Sequence, residues 1–237
     1  MFAFLIPGFL LFAFACNNSP SEKEEKKADT PAAAPAPAAE VAKPAFVPFD
    51  VMTVTHHVKD FAKWKVGFLA HDSVRKAADL TSMGLGRGLE DSNLVLVVNK
   101  IGDLQKAKAF ASSPNLKEVM KKAGVTGIPE IEYLHVIRND DSQIEFKDRL
   151  MVAHHVKNFD AWVKVFDGEG PATRSANGLI DRGLARGIQD SNMVYVLFAV
   201  SDQVKAKARS TSPELKKLMA EAGVDSKPKI SMFKLVD

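Results

Sequence analysis

The hydrophobic pattern after residue 50 switches between strand and helix periods, and the order of these elements predicts an α+β fold. Alternate residues from Met52 to Val58 share one face of a first strand. Phe61, Trp64 and Phe68 then recur at the spacing of one helix face. "GLGRGLEDSNLVLVVNK" predicts two strands joined at Asp-Ser-Asn, and a helical stretch from residue 103 leads to a last strand, "EIEYLHVI". This order is the ferredoxin-like βαββαβ unit.

The same unit is written twice in the chain. "HHVKDFAKW" begins at His56 and "HHVKNFDAW" begins at His154, 98 positions later. "RGLEDSN" and "RGIQDSN" lie 99 positions apart, so one residue has been inserted in the second copy between Trp162 and Arg174. We therefore expect a first repeat over residues 48–138, a connector over 139–148 and a second repeat over 149–237.

The third strand of each unit predicts how the two repeats pack. "LVLVV" and "MVYVLF" are apolar at successive positions, which is typical of strands buried on both faces. The helices of a ferredoxin-like unit cover only one face of its sheet, so the other repeat is expected to cover the second face. The sequence predicts an intramolecular dimeric α/β barrel, that is, a monomer with an internal pseudo-dimer.

The shared motifs resemble those of a known group of proteins. "H-x-V" on a strand, "DFxxW", a Phe four residues past the Trp, "RG…D-x-N" and "SP-x-L-K…M…AGV" resemble the antibiotic-biosynthesis-monooxygenase-like and cyclase-like dimeric α/β-barrel proteins. The resemblance covers about residues 50–237, twice over, and it implies the fold. The wider superfamily includes monooxygenases, isomerases, haem-degrading and haem-binding enzymes, and modules that only bind ligands, so haem is one cofactor that the resemblance implies.

The first 47 residues predict the cellular location of the protein and not part of its fold. "MFAFLIPGFLLFAFA" is apolar but shorter than a membrane span, which suits a signal peptide over residues 1–15. "AFA" before Cys16 resembles a bacterial lipobox, which would leave Cys16 as a lipidated N-terminus; a plain cleaved signal is the alternative. Residues 16–47 are first charged and then rich in Pro and Ala, as in a disordered tether. We expect a lipid anchor in the bacterial cell envelope, at the outer membrane, on its periplasmic or surface side.

Composition excludes several classes of function. The net charge is +3 in a chain of 237 residues, and the charges are interspersed, so no nucleic-acid partner is indicated. Cys16 is the only cysteine, so the fold has no intramolecular disulfide and no structural zinc site built on cysteine pairs.

The paired histidines cannot share one metal ion, because neighbouring strand residues point to opposite faces. His56 and His154 are expected to face the helices, and His57 and His155 the barrel seam or its rim. We expect structural histidines, each satisfied by a backbone carbonyl, and no metal site.

One set of side chains has the composition of a small-molecule site. Phe61, Trp64, Phe68, His71 and Arg75 are separated by three, four, three and four residues, so one unbroken helix would place all five on one stripe. With His56 on the facing sheet, this predicts a ligand-binding pocket formed by His56, Trp64, Phe68, His71 and Arg75. Histidine would exchange a proton there, and Arg75 would pair with a carboxylate or enolate. The alternative is that His71 and Arg75 lie at a frayed helix end, in water.

The second repeat lacks part of this set. Phe159, Trp162 and Phe166 keep the aromatic stripe, but "DGEGPATR" follows, in which Gly168, Gly170 and Pro171 are expected to break the helix. Arg174 matches Arg75, and no histidine matches His71. We therefore expect a single site in the first repeat, or a degenerate second one.

Three functions remain open from the sequence. The first is a lipid-anchored module outside the cytoplasm that binds a small apolar-aromatic or acidic molecule, with turnover left open. The second is a cofactor-independent monooxygenase or cyclase-like enzyme with His56 or His71 as base. The third is a haem-binding protein with one of these histidines as axial ligand.

Overall fold

The computed structural model describes residues 46–236, so the predicted signal peptide, Cys16 and all but the end of the predicted tether lie outside the described residues. The first repeat contains β1 (Phe49–Val58), α1 (Phe61–Ala70), α2 (Asp72–Ala77), β2 (Leu80–Gly88), β3 (Leu94–Ile101), α3 (Leu104–Ser112), α4 (Pro114–Lys122) and β4 (Val125–Asn139). The second repeat contains β5 (Asp148–His155), α5 (Phe159–Ala176), β6 (Leu179–Gly187), β7 (Met193–Val200), α6 (Gln203–Thr211), α7 (Pro213–Glu221) and β8 (Lys229–Leu235).

The eight strands of the described region close into one barrel, as the sequence predicts. Their order around the barrel is β1-β3-β2-β8-β5-β7-β6-β4, and β4 pairs again with β1. Each repeat supplies four consecutive strands, and two seams join the repeats, β2 with β8 and β4 with β6. The fold is therefore an intramolecular dimeric α/β barrel.

The barrel buries the third strands on both faces. Val95 and Val97 of β3 pack under the helices of the first repeat. Leu96, between them on the opposite face, lines the barrel interior and is only 6 % exposed. The interior is lined mainly by apolar side chains of both repeats, among them Val51, Leu134 and Ala185, which surround a cavity of about 140 Å³. Burial on both sides of the sheet is therefore what joins the repeats.

Local sequence signals fix the helix ends where they were expected. Ser113 caps α4 by accepting a hydrogen bond from the Leu116 backbone N–H at 3.2 Å, and Pro114 occupies the first turn. Gly124 follows the helix with a positive φ of 84°, a conformation that other residues rarely adopt. Ser212 and Gly223 repeat this arrangement in the second repeat.

The expectation of one unbroken helix through Arg75 is wrong. Helix α1 ends at Ala70, and His71 adopts φ −91° and ψ 10° before α2 starts at Asp72. Arg75 still turns back to the sheet, because its Nη1 donates to the Phe68 carbonyl at 2.6 Å near the break. In the second repeat the break falls where it was expected, at Gly170, whose φ of 78° is not helical, just before Pro171.

None of the helices within residues 46–236 is both long and apolar enough to cross a bilayer.

Cleavage of the connector tests the shared barrel. Residues 140–147 join β4 to β5, and the seams hold each repeat to the other without them. If a protease site is inserted after Gln143 and cut, we expect the two fragments to co-elute in native size-exclusion chromatography. The two halves expressed separately should be insoluble or should associate, because each would expose one apolar sheet face. Two halves that elute as separate folded monomers would contradict the shared core.

Candidate functional site

The five side chains predicted to form a ligand pocket line one cavity of about 80 Å³ between the sheet and the helices of the first repeat. β1 supplies His56, α1 supplies Trp64 and Phe68, and α2 supplies Arg75. His71 lies at the junction of the two helices. The break at His71 therefore does not change which residues line the cavity. Arg75 reaches the cavity from α2 and not from a continuation of α1.

An aromatic stack forms one wall of this cavity. The Trp64 and Phe68 rings are stacked, with centroids 5.0 Å apart and planes inclined by 17°. The His56 ring lies 5.3 Å from Trp64, and the Arg75 guanidinium lies 3.9 Å from the centre of the Phe68 ring. The stack offers a flat apolar surface with nitrogen-bearing groups at both ends.

His56 is not satisfied by a backbone carbonyl, contrary to expectation. It is 4 % exposed, and both of its ring nitrogens are buried without a hydrogen-bond partner. Burial, with a smaller contribution from His57, lowers the pKa of His56 to about 4. The ring is therefore neutral at neutral pH and presents one N–H donor and one acceptor nitrogen.

Two further polar atoms of the same cavity are buried without a partner. Arg75 Nη2 donates to Asp72 at 3.1 Å and Nη1 to the Phe68 carbonyl, but Nε has no partner. Asn99, 1 % exposed on β3, has an unpartnered Oδ1. Sequence reasoning missed Asn99, although a polar residue on the helix-facing side of an otherwise apolar strand was a usable signal.

The second histidine of each pair lies at the end of its strand, on the face away from the helices, as the strand geometry requires. His57 Nε2 is 3.2 Å from Asp91, and both side chains are about half exposed. His155 Nδ1 is 2.6 Å from Asp225, and the hydrogen bond to that carboxylate raises the pKa of His155. These two histidines are already paired and do not reach either helix–sheet cavity.

The second repeat also holds a helix–sheet cavity, although the sequence predicted either no second site or a degenerate one. It holds a cavity of about 130 Å³ at the equivalent place, lined by His154, Trp162 and Phe166 among others. The Trp162 and Phe166 rings stack at 5.0 Å and 16°, as in the first repeat. His154 is also 4 % exposed with both nitrogens unpartnered, and burial lowers its pKa to about 4.

The arginines of the two cavities differ in their partners. Arg174 donates to Asp181 from Nε at 2.7 Å and from Nη2 at 2.5 Å, and to the Phe166 carbonyl from Nη1 at 2.8 Å. Burial lowers the pKa of Arg174, but the hydrogen bonds and charges of Asp181 and Glu169 together outweigh burial, and the pKa is raised. For Arg75 burial prevails over the Asp72 carboxylate, and the pKa is lowered. Ser82 stands in the first repeat where Asp181 stands in the second, so Arg75 Nε stays free of a protein acceptor.

The described cavities do not fit haem. Haem iron takes a histidine nitrogen as axial ligand and needs room for the macrocycle beside it. The cavities beside His56 and His154, of about 80 and 130 Å³, are smaller than the cavity of about 150 Å³ that accommodates one benzene molecule, so neither has room for the macrocycle. Within residues 46–236, no group of three or more His, Cys, Asp or Glu side chains is arranged to hold a metal ion.

Comparisons with known proteins confirm the fold. A scan against models of protein families finds no match, and neither does a search of curated protein sequences. Among solved structures, the chain resembles a candidate monooxygenase from Lactobacillus acidophilus with 13% identity and a TM-score of 0.50, over 79% of this chain and 94% of that one. A candidate monooxygenase from Fusobacterium nucleatum has 11% identity and a TM-score of 0.52, over 81% of this chain and 93% of that one. An anthrone oxidase-like protein has 15% identity and a TM-score of 0.51, over 80% of this chain and 92% of that one. At these identities the likeness establishes the dimeric α/β-barrel fold alone.

The neutral buried histidines predict a loss of stability in mild acid. In the unfolded chain each histidine binds a proton below its ordinary pKa of about 6.5, whereas in the folded chain His56 and His154 bind one only near pH 4. The free energy of unfolding should therefore fall as the pH drops from about 6.5 to about 4, by about 3 kcal/mol for each histidine.

The variant His56→Phe should remove its share of this pH dependence. Its stability at pH 7 should equal or exceed that of the wild type, because the change removes two unpartnered nitrogens at similar shape. Urea unfolding at pH 7 and pH 5 measures both effects, with His57→Phe at the exposed neighbour as control. A His56→Phe protein that keeps the full pH dependence would contradict a neutral buried His56.

Proposed function

We propose that the cavity of the first repeat binds a small, uncharged molecule with a flat apolar body and both a hydrogen-bond donor and an acceptor. One observation carries this proposal. Of the six buried side-chain atoms in residues 46–236 that lack a hydrogen-bond partner, four line this one cavity, two from His56 and one each from Arg75 and Asn99.

Unpartnered buried polar atoms are costly, and this supports a role in binding. Each costs about 1–3 kcal/mol relative to a satisfied group, and proteins rarely keep several together. A bound molecule that pairs with them recovers that cost only in the complex, so affinity and specificity both come from these atoms. The apolar wall of Trp64 and Phe68 supplies the non-directional part of the binding free energy.

The distribution of charge in the cavity favours a neutral ligand over the carboxylate that the sequence suggested as a partner of Arg75. Asp72 already lies 3.1 Å from Arg75 Nη2, so the positive charge has its counterion. The buried groups of this cavity that remain without a partner are the Arg75 Nε–H donor, the Asn99 Oδ1 acceptor and the neutral His56 ring. An amide or a hydroxy-carbonyl group complements these, whereas a carboxylate would place negative charge against Asn99 Oδ1.

A second candidate function is turnover, which the neutral imidazole of His56 in the cavity favours. His56 would take a proton from a carbon acid, which then reacts with dioxygen, as in the conversion of one anthrone and one O₂ to one anthraquinone and one H₂O. Two of the structural relatives are candidate monooxygenases and a third is anthrone oxidase-like. Anthrone has three rings, so α1 and α2 would have to move off the sheet to admit it.

We also propose that lipid on Cys16 holds the protein at the bacterial cell envelope, on the strength of the apolar leader and the "AFA" sequence before the cysteine. The full chain expressed in a bacterial host should fractionate with membranes, and its mass should include a diacylglyceryl group. Cys16→Ser should abolish both. A Cys16→Ser protein that stays on the membrane would refute the anchor.

A titration with the three hydroxybenzamide isomers tests the binding proposal. The cavity of about 80 Å³ is smaller than one that holds benzene, so their binding requires α1 and α2 to move outward from the sheet. Trp64 and Trp162 are the only tryptophans, and each lines one cavity, so the two indole N–H resonances of the ¹⁵N-labelled full chain report the two cavities separately. We expect at least one isomer to shift the Trp64 resonance saturably. Asn99→Leu should weaken this binding about tenfold or more, because it removes an acceptor and leaves the ligand donor unpaired.

The matched control is Phe198→Leu, at the equivalent position of the second repeat, which should leave the Trp64 titration within about twofold of the wild type. Saturable shifts that survive Asn99→Leu unchanged, or no shift with any isomer, would refute the proposed site. Oxygen uptake with anthrone, measured on the same preparations, bears on turnover. Uptake that exceeds the protein-free rate and is lost in His56→Phe would favour an enzyme over a binding module.

A further inference from the structure

The helix–sheet cavity of the second repeat differs from the first in the chemistry of its walls. Its volume is about 130 Å³, close to the cavity of about 150 Å³ that holds a benzene molecule. The stacked Trp162 and Phe166 rings form a flat wall on the helix side, and Leu150, Val152 and Val196 line the sheet side. The shape and lining therefore suit one aromatic ring.

The charged side chains at this cavity are paired with one another. Arg174 uses Nε and Nη2 on Asp181 and Nη1 on the Phe166 carbonyl and Glu169. Glu169 Oε1 accepts from Arg209 on α6, and its other oxygen lies 3.4 Å from Arg174 Nη1. The Arg174 and Glu169 side chains are less than a tenth exposed and are paired with each other, so neither charge is available to a charged ligand. A ligand of this cavity therefore needs no net charge.

His154 is the polar group that remains without a partner. The side chain is only 4 % exposed, and neither ring nitrogen has a hydrogen-bond partner. A neutral imidazole offers one donor and one acceptor. A hydroxyl group can satisfy either nitrogen, since it donates one hydrogen and accepts through its lone pairs.

We propose that the second repeat holds a second binding site, which takes a single-ring phenol with its ring on Trp162 and Phe166 and its hydroxyl on His154. The two repeats of one chain then bind different molecules. The site does not depend on the function proposed for the first repeat, because its cavity, its histidine and its reporter tryptophan belong to the second repeat alone.

Three residue exchanges between the repeats explain the difference in ligand. Asp181 satisfies Arg174 Nε, where Ser82 leaves Arg75 Nε unpaired. Phe198 replaces Asn99 and removes the extra acceptor. Glu169, three residues after Phe166 as His71 is after Phe68, brings in Arg209. The first two exchanges each remove a hydrogen-bonding demand from the second cavity, and the third adds two charges that pair with each other. A ligand of the second cavity therefore needs fewer polar atoms than a ligand of the first.

Phenol and toluene titrated into the ¹⁵N-labelled full chain test this inference. We expect phenol to shift the Trp162 indole resonance saturably and to leave Trp64 unshifted at the same concentration. Toluene, which lacks the hydroxyl, should bind at least tenfold more weakly. The variant His154→Phe should abolish the preference for phenol over toluene, and His56→Phe, its counterpart in the first repeat, should leave that preference unchanged.

Each outcome separates this site from the first one. Phenol that shifts only Trp64, or neither resonance, overturns the second site while the hydroxybenzamide titration of Trp64 stands on its own. Toluene that binds Trp162 as tightly as phenol overturns the role of His154. If His154→Phe does not fold, the wild-type ratio of phenol to toluene affinity at Trp162 still decides the point, since a ratio near one refutes the hydroxyl contact.

Discussion

Covering both faces of each sheet is the constraint on which this structure depends. Four strands with helices on one side leave an apolar surface on the other, and β3 and β7 are apolar on both sides. Each repeat covers the apolar sheet face of the other. Strand β8 pairs with β2 at one seam, and β4 pairs with β6 at the other. Because the barrel interior is shared, neither repeat can change much there without affecting the other. The helix–sheet cavities lie outside that shared interior, where substitutions in one repeat are felt only by that repeat.

This arrangement allows the two cavities to diverge within one fold. Both keep the aromatic stack and the enclosed histidine, at nearly the same distances. They differ in how the arginine is satisfied, through Asp72 in one and Asp181 in the other. Duplicated chains retain both copies of a site in one molecule, so one copy can lose hydrogen-bonding demands while the other keeps them. Enclosed polar atoms without partners are destabilising, and their retention in both copies is the feature that most needs a functional explanation.

The sequence predicted the fold well because its signals are local or repeated. The Ser113–Pro114 helix start, the Gly124 stop and the doubly apolar third strand are readable from neighbouring residues, and the duplication supplies the partner sheet. The site was predicted less completely. The break at His71 involves neither Gly nor Pro, so helical periodicity gave no sign of it. The Glu169–Arg209 pair joins residues 40 positions apart, and no spacing rule brings them together. Whether a His56 ring nitrogen forms a hydrogen bond to a backbone carbonyl depends on how the helices pack on the sheet, and the sequence pattern does not predict that packing.

Closure of the strands has a further consequence for solubility. Every strand of the barrel in residues 46–236 is hydrogen-bonded to a neighbour on each side along at least part of its length, so no strand has an edge that is wholly unpaired. Open sheets with a row of free backbone amides at an edge recruit strands from other molecules and grow into aggregates. Two separate ferredoxin-like units would each offer two of these rows. A barrel closed within one chain therefore offers other molecules fewer backbone groups to which a strand could be added.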